Sequence, residues 1–333
     1  MSAARSEHAG AGDASSSAPR VALVGARRAR QGLGPYVARS LVAHGAVVPA
    51  FVGTSEASVT SAAAGLADAF DIHARGYTRG AEMLEHEALD ALAILSPAET
   101  HREWLQFALE AGLHVFVEKP LLWGGEDDAQ HGAELLTRFH ERGLLVLENC
   151  QWPMTVPCFD ALHPGARAAA PQRFAMEMSP ASQGVQMIGD ALPHALSLLQ
   201  ALAPATREQL SDARFSARGE QLEELDLGFT WHADGHAVAC MVSLRQGPEQ
   251  PRRASYAVDD RWAHRLIRTR DYAQFFASGA RVVDVPDPLD TLVGDFAARL
   301  RADPPVPDSV ATGRMTRRLK ALHELRRAYL EAP

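Results

Sequence analysis

A chain of 333 residues is long enough for about two domains, each with its own core. Its 47% apolar content is that of an ordinary globular protein rather than a membrane-embedded or disordered one. The formal net charge of −8 excludes a bulk attraction to nucleic acid, and the basic pairs Arg27-Arg28, Arg317-Arg318 and Arg326-Arg327 are diluted by acids and read as solvated faces. Cys150, Cys158 and Cys240 are odd in number and lack metal-ligand spacing, so no disulfide framework is expected and the cytoplasm is the default compartment. No run approaches the ~18 apolar residues of a membrane helix. The small, polar segment 1–19 has no apolar stretch of the secretory kind and is expected to be a disordered tail.

From residue 20 onward, strand and helix alternate. A first strand is expected over 20–25, a helix over 35–43, a second strand over 47–52 and an alanine-rich helix over 56–70. The run ALAIL at 91–95 predicts a fully buried strand, followed by a helix over 99–111 that Gly112 ends. HVFV at 114–117 predicts another short strand, then a helix over 127–142 ended by Gly143, and a strand over 144–147. This alternation predicts an α/β domain built on a parallel, doubly wound sheet.

The pattern changes after Asn149. Prolines at 153, 157, 164 and 171 precede a strand over 173–178 and a helix over 185–202. Period-two runs then follow at 227–232, 237–244, 254–258 and 265–268, with no helix between them. Consecutive strands predict an antiparallel or mixed sheet, hence an α+β domain. Helices over 290–301 and 313–330 close the chain. The expected division is a first domain over 20–148 and a second over 149–333.

The turn after the first strand reads GARRARQGLGPY. A glycine-bearing turn into a helix N-terminus offers unpaired N–H groups and partial positive charge to a pyrophosphate. Gly25 follows the strand, and Gly32 and Gly34 precede the helix, so the turn is about four residues longer than G-x-G-x-x-G. A plain turn with surface arginines is the competing interpretation. The second strand ends Phe51-Val52-Gly53-Thr54-Ser55 with no acid at its tip for ribose hydroxyls. Thr54 and Ser55, with Arg27, Arg28 or Arg30 from the first turn, suit a 2′-phosphate, which favours NADP(H) over NAD(H). The alternative is that Thr54 and Ser55 only cap the following helix.

The buried strand at 91–95 ends in Ser96-Pro97-Ala98-Glu99-Thr100-His101, and the next strand ends in Glu118-Lys119-Pro120. Ligands of open α/β sheets bind beyond the carboxyl ends of the strands, where Lys119 stands. Asp190-Ala191-Leu192-Pro193-His194 follows, with Asp and His one helical turn apart. These three motifs, in this order, resemble the Gfo/Idh/MocA family, named for glucose–fructose oxidoreductase, inositol dehydrogenase and a rhizopine-catabolism protein. The resemblance covers nearly the whole chain after the tail.

The resemblance implies a Rossmann domain followed by an α/β domain with a large open sheet, an NAD(P)-dependent oxidoreductase activity, and a homodimer or homotetramer formed through that sheet. It implies a small polar substrate such as a sugar or cyclitol, while charge and composition give no reason to expect nucleic acid or membrane as partner. It assigns Lys119, Asp190 and His194 to catalysis, with Lys119 polarising the substrate oxygen and His194 exchanging a proton. Gly25, Arg27, Arg28, Gly32, Gly34, Thr54, Ser55, Ser96, Pro97, His101, Glu118 and Lys119 are the candidate cofactor-binding residues. The departures are the stretched glycine turn, Ala98 in place of the usual Asn, and Asn149-Cys150-Gln151-Trp152 in place of Asn-x-Arg-Phe. Pro193, inside the expected Asp190–His194 helix, predicts either a kink or a helix that starts there.

The remaining candidates are plain. Trp104, Phe107, Trp123 and Trp231 are expected in cores. His73, His86, His140 and His236 show no ligand spacing, so no metal site is expected. A glycoside hydrolase that uses NAD transiently and a non-catalytic dinucleotide-binding regulator share the fold and are the alternative functions.

Overall fold

The computed structural model describes residues 18–27, 32–302, 305 and 307–332. Most of the expected tail, together with Arg28 and Arg30, lies outside the described residues.

The first domain comprises β1 (Val21–Val24), α1 (Gly34–Ala43), β2 (Ala50–Val52), α2 (Glu56–Phe70), β3 (Arg75–Tyr77), α3 (Gly80–His86), β4 (Ala91–Ile94), α4 (His101–Ala111), β5 (His114–Val117), α5 (Asp128–Glu141) and β6 (Val146–Glu148). Its six strands pair in parallel in the order β3-β2-β1-β4-β5-β6. Strands β1 and β4 are buried along their whole length, as a sheet covered on both faces requires. The order reverses between β1 and β4, which opens a crevice beyond the strand carboxyl ends. This is the doubly wound sheet that the alternation predicts. Strand β3 and helix α3 were not expected, because a three-residue strand and a seven-residue helix are too short to show a period.

The second part comprises α6 (Val156–Leu162), β7 (Arg173–Met178), α7 (Gln186–Leu202), β8 (Glu208–Arg218), β9 (Glu224–Ala233), β10 (His236–Arg245), β11 (Ala254–Val258), β12 (Arg261–Arg268), β13 (Ala273–Ser278), β14 (Arg281–Val285), α8 (Pro288–Leu300) and α9 (Ser309–Glu331). Its eight strands lie in the order β14-β13-β12-β11-β7-β10-β9-β8. Neighbours are antiparallel except the β7–β10 pair. One face of the sheet packs on α7. Along β9 the residues alternate between half-buried and buried, with Leu225, Leu227, Phe229 and Trp231 turned to that core.

The expected division at residue 149 falls between the two sheets, but the two closing helices return to the first. Leu289, Leu292, Val293 and Phe296 of α8 pack into the core that holds Val21, Leu23 and Phe116. Helix α9 sends Met315 and Leu319 to the other face of the first sheet, and Ala321, Leu322 and Leu325 to the core of the second. The same helix buries Arg318. Its Nε donates to Glu148 at 3.0 Å and its Nη1 to Gln200 at 2.8 Å, while the other Glu148 oxygen accepts from the Leu121 amide. Among the described residues, no helix is long and apolar enough to cross a membrane.

Candidate active site at the carboxyl ends of the first sheet

Strand β5 ends at Val117, and the chain turns through Glu118-Lys119-Pro120 toward the second sheet. Lys119 Nζ donates to Asp190 Oδ1 and to the Asp190 carbonyl, each at 2.7 Å. The contact joins the end of the first sheet to helix α7. Asp190 Oδ2 also accepts from the Ala181 amide at 2.7 Å and from the Ser182 hydroxyl at 3.2 Å. His194 lies one turn further along α7, buried, with Nδ1 lacking a partner. Helix α7 runs unbroken from Gln186 to Leu202, so Pro193 neither starts nor ends it. Asp190 and His194 therefore share one helix face.

The three groups are pushed apart in pKa. Burial alone would lower that of Lys119, but the Asp190 and Glu118 carboxylates overcome it and hold the ammonium above its ordinary value. Burial would raise Asp190, yet the Lys119 charge and hydrogen bond hold its carboxyl well below the usual range. His194 is driven well below an ordinary imidazole, first by burial and then by the Lys119 cation, against a smaller pull from Asp190. The site thus offers a fixed cation, its fixed anion and a neutral imidazole at neutral pH. Opposed environments of this kind mark acid–base sites.

The Glu118 carboxyl is raised by burial and accepts from Lys119 N and from Asn149 Nδ2, both at 3.0 Å. His101 is 0% exposed. Its Nε2 faces the Ser96 carbonyl at 2.9 Å, and its Nδ1 faces the Pro120 carbonyl at 2.9 Å. The expectation that His101 touches a cofactor is corrected here: the imidazole ties the Ser96-Pro97 turn to the Lys119-Pro120 turn and has no surface to present. Ser96 Oγ lies 2.6 Å from Thr100 Oγ1, and Pro97 starts the short turn into α4.

The glycine turn has the features a dinucleotide needs. Gly25 has φ +88°, and a Cβ there would meet the Leu95 carbonyl oxygen at 2.8 Å. A Cβ on Gly34 would lie 2.4 Å from the Gly25 oxygen. Both positions therefore require glycine, and they bring the α1 N-terminus against the end of β1. Helix α1 has no side-chain cap and no acid in its first turn. Pro35 has no N–H, and the Tyr36 and Val37 amides both donate to the Leu33 carbonyl, at 3.0 and 2.9 Å, so what this end offers a pyrophosphate is the close backbone approach and the partial positive charge of the helix terminus. Gly32 is half-buried just ahead of this helix. Thr54 is exposed at the β2 tip, and Ser55 forms a capping box with Ser58. Arg27 is exposed beside a surface cleft with Pro35 and Phe70. Among the described residues, no hydrogen bond joins it to Thr54 or Ser55.

Residues 19–149 match the model of an oxidoreductase family with an NAD-binding Rossmann fold, Gfo/Idh/MocA. That match covers the dinucleotide-binding sheet and not the second sheet. Over 67 residues the chain is 42% identical to a dTDP-3,4-didehydro-2,6-dideoxy-alpha-D-glucose 3-reductase of Actinomadura kijaniata, a match covering 20% of this chain and 19% of that relative. The chain thus spans about a fifth of the length of the curated relatives it matches. The structure resembles a UDP-N-acetylglucosamine 3-dehydrogenase from Acidithiobacillus ferrooxidans, with TM-score 0.67 and 21% identity over 94% of this chain and 99% of that one. It also resembles a dehydrogenase from Thermus thermophilus solved with NAD and UDP-GlcNAcA, with TM-score 0.62 and 16% identity over 92% and 94% of the two chains. At these identities the likeness is one of fold, and it extends over both sheets.

Ala98, partly buried, packs against the core of the second sheet. Asn149, named in the sequence only as part of Asn149-Cys150-Gln151-Trp152 and not among the candidate site residues, holds Glu118 in place. Its position at the end of β6, level with the end of β5, is the signal that identifies it. Trp123 and Trp231 are buried, as expected of core residues.

Proposed function

We propose that this protein is an NAD(P)-dependent oxidoreductase acting on a secondary alcohol or ketone of a small polar metabolite of the sugar or cyclitol kind. The observation that carries this reading is the Lys119–Asp190 contact with a neutral His194 one turn away, at the crevice of a dinucleotide-binding sheet. The nicotinamide, when bound, supplies the hydride chemistry. Lys119 polarises the substrate oxygen with a charge that Asp190 keeps protonated. Asp190, itself fixed by the Ala181 amide, sets the direction of that ammonium. His194, as a neutral imidazole, accepts the hydroxyl proton in oxidation and returns it in reduction.

The glycine turn and the uncapped α1 terminus take the pyrophosphate. The acid-free tip of β2 favours NADPH over NADH. Exposed Met241, Leu266 and Val282 on the outer face of the second sheet support pairing of that face in a dimer or tetramer.

The test is calorimetric titration with NADPH and NADH, followed by hydride transfer to a panel of sugars and ketones. Lys119→Ala should bind the dinucleotide as the native protein does, yet lose about 10²–10⁴ in hydride-transfer rate. Failure to bind either dinucleotide, or an unchanged rate in Lys119→Ala, would overturn the reading. Tighter binding of NADH would overturn the cofactor preference alone.

A further inference from the structure

The core-facing side of the second sheet carries an arginine that, among the described residues, no carboxylate neutralises. Arg265 lies on β12, on the same face as the buried Ala263 and opposite the fully buried Phe276 of β13. Its Nη2 donates to the Arg252 carbonyl at 2.8 Å, while its Nε is buried without a partner. Its guanidinium sits over the Trp152 ring, 5.5 Å from the centroid. Lys119 pairs with Asp190 and Arg318 with Glu148, whereas neighbouring Arg252 shares with Arg265 a buried Nε without a partner. Burial brings the Arg265 pKa down to about 10, which leaves it charged at neutral pH. Taking an ion from water without a counter-charge is costly, and the Trp152 ring offsets only part of the cost.

Arg265 opens onto a small cleft of about 30 Å³. Gln151, Trp152, Thr155 and Gln274 line it with apolar neighbours, and no carboxylate does. The cleft adjoins the site described above. Gln151 and Trp152 directly follow Asn149, which holds Glu118, and Cys150, whose Sγ faces the Pro193 carbonyl at 3.6 Å. Arg265 is also among the cations that keep His194 neutral.

We propose that Arg265, flanked by the Gln151 and Gln274 amides, seats an anionic group of the substrate, a carboxylate or a phosphate. The planar fork of a guanidinium matches either group with two parallel hydrogen bonds. The inference rests on the oxidoreductase reading and narrows its substrate class. The reacting carbon lies at the Lys119 and His194 end of the crevice, and the acid group is held against the second sheet, so that the substrate is gripped at two points.

Three probes of one ring system test it: glucose, glucose 1-phosphate and glucuronate. Each is titrated into the full protein at constant ionic strength, with Trp152 fluorescence as a reporter. At least one charged sugar should bind about tenfold or more tightly than glucose. Which one does so separates phosphate from carboxylate. Arg265→Met should abolish the difference, and Arg265→Lys should keep only part of it. Melting gives a second readout. Inorganic phosphate should raise the melting temperature of the native protein and leave that of Arg265→Met unchanged. Without phosphate, Arg265→Met should melt no lower than the native protein, because it removes an unpaired charge. If Arg265→Met does not fold, Arg265→Lys carries the test. Equal binding of all three sugars, binding of none, or an undiminished preference in the variants overturns the proposal. Dinucleotide binding is measured on the same samples. Its absence defeats the oxidoreductase reading, whereas its presence without an anion preference defeats only the anionic seat.

Discussion

Lys119 and Asp190 form a pair in which each holds the other's charge against burial. Breaking one member therefore changes the other. In Asp190→Asn only Glu118 would remain to support the ammonium, and the pKa of Lys119 should fall. The rate of lysine acylation against pH would show the shift, and an unmoved profile would remove Asp190 from the role of anchor. The same change should cost about 1–3 kcal/mol at neutral pH, since the pair is only partly screened from water. At this scale the sequence was legible where a motif put chemistry at a strand end: Lys119 touches Asp190, and His194 stands one helical turn on. It was misleading for His101, because a histidine just past a strand end looks the same whether it faces a ligand or two carbonyls. Arg265 was invisible among the other charged residues of β12 and its flanks, since only packing shows which face of a strand is dry.

Helix α7 passes through Pro193 without a break, and most of its residues are buried against the second sheet and α9. Tertiary burial overrides the local penalty of a missing N–H. The polar cluster beside it is a sharper case. Arg318 and Glu148 are 8% and 7% exposed, and Gln200 completes the set with further bonds to Glu208 and the Arg314 carbonyl. Replacing Arg318 with Met should cost about 3–5 kcal/mol, because it strands the carboxylate of Glu148. Adding Glu148→Met should recover part of that loss. Denaturant midpoints of the single and double variants would decide the matter, and additive losses would show that the two residues act independently. Elements with a clear period were legible, among them β5, β7 and β11, whose bounds match the sequence reading. Strand β8 was not: it is an edge strand with charged residues on both sides of its alternation and a bulge between Ser211 and Arg214. Strands β13 and β14 are likewise half-exposed and take their register from neighbours rather than from their own pattern.

At the scale of the whole molecule, His114, His194 and His323 all have pKa values lowered by burial from the ordinary 6.5. Between the folded and unfolded pKa values the unfolded chain binds more protons, so stability must fall as the pH drops below about 6.5. Each imidazole contributes a slope of up to about 1.4 kcal/mol per pH unit. Above that range these groups contribute no dependence, and Lys119, whose folded pKa is raised, adds loss only on the alkaline side of 10.5. Denaturation midpoints from pH 7.5 to 5 would measure the slope, and a flat profile would contradict neutral burial of these rings. The two-sheet architecture was readable from periodicity, whereas the return of α8 and α9 was not, since amphipathic helices do not announce which sheet they cover.

That return has a consequence for how the protein is made. The face of the first sheet that holds Val21, Leu23 and Phe116 is closed by Leu289, Leu292, Val293 and Phe296, which are synthesised last. Ribosomes deliver about 5–20 residues per second, so this surface waits many seconds, uncovered, while the second sheet emerges. The first domain cannot mature ahead of the second during translation. A nascent chain stopped after Val285 should remain sticky and bound by chaperones, and release should come only once α8 has cleared the exit tunnel.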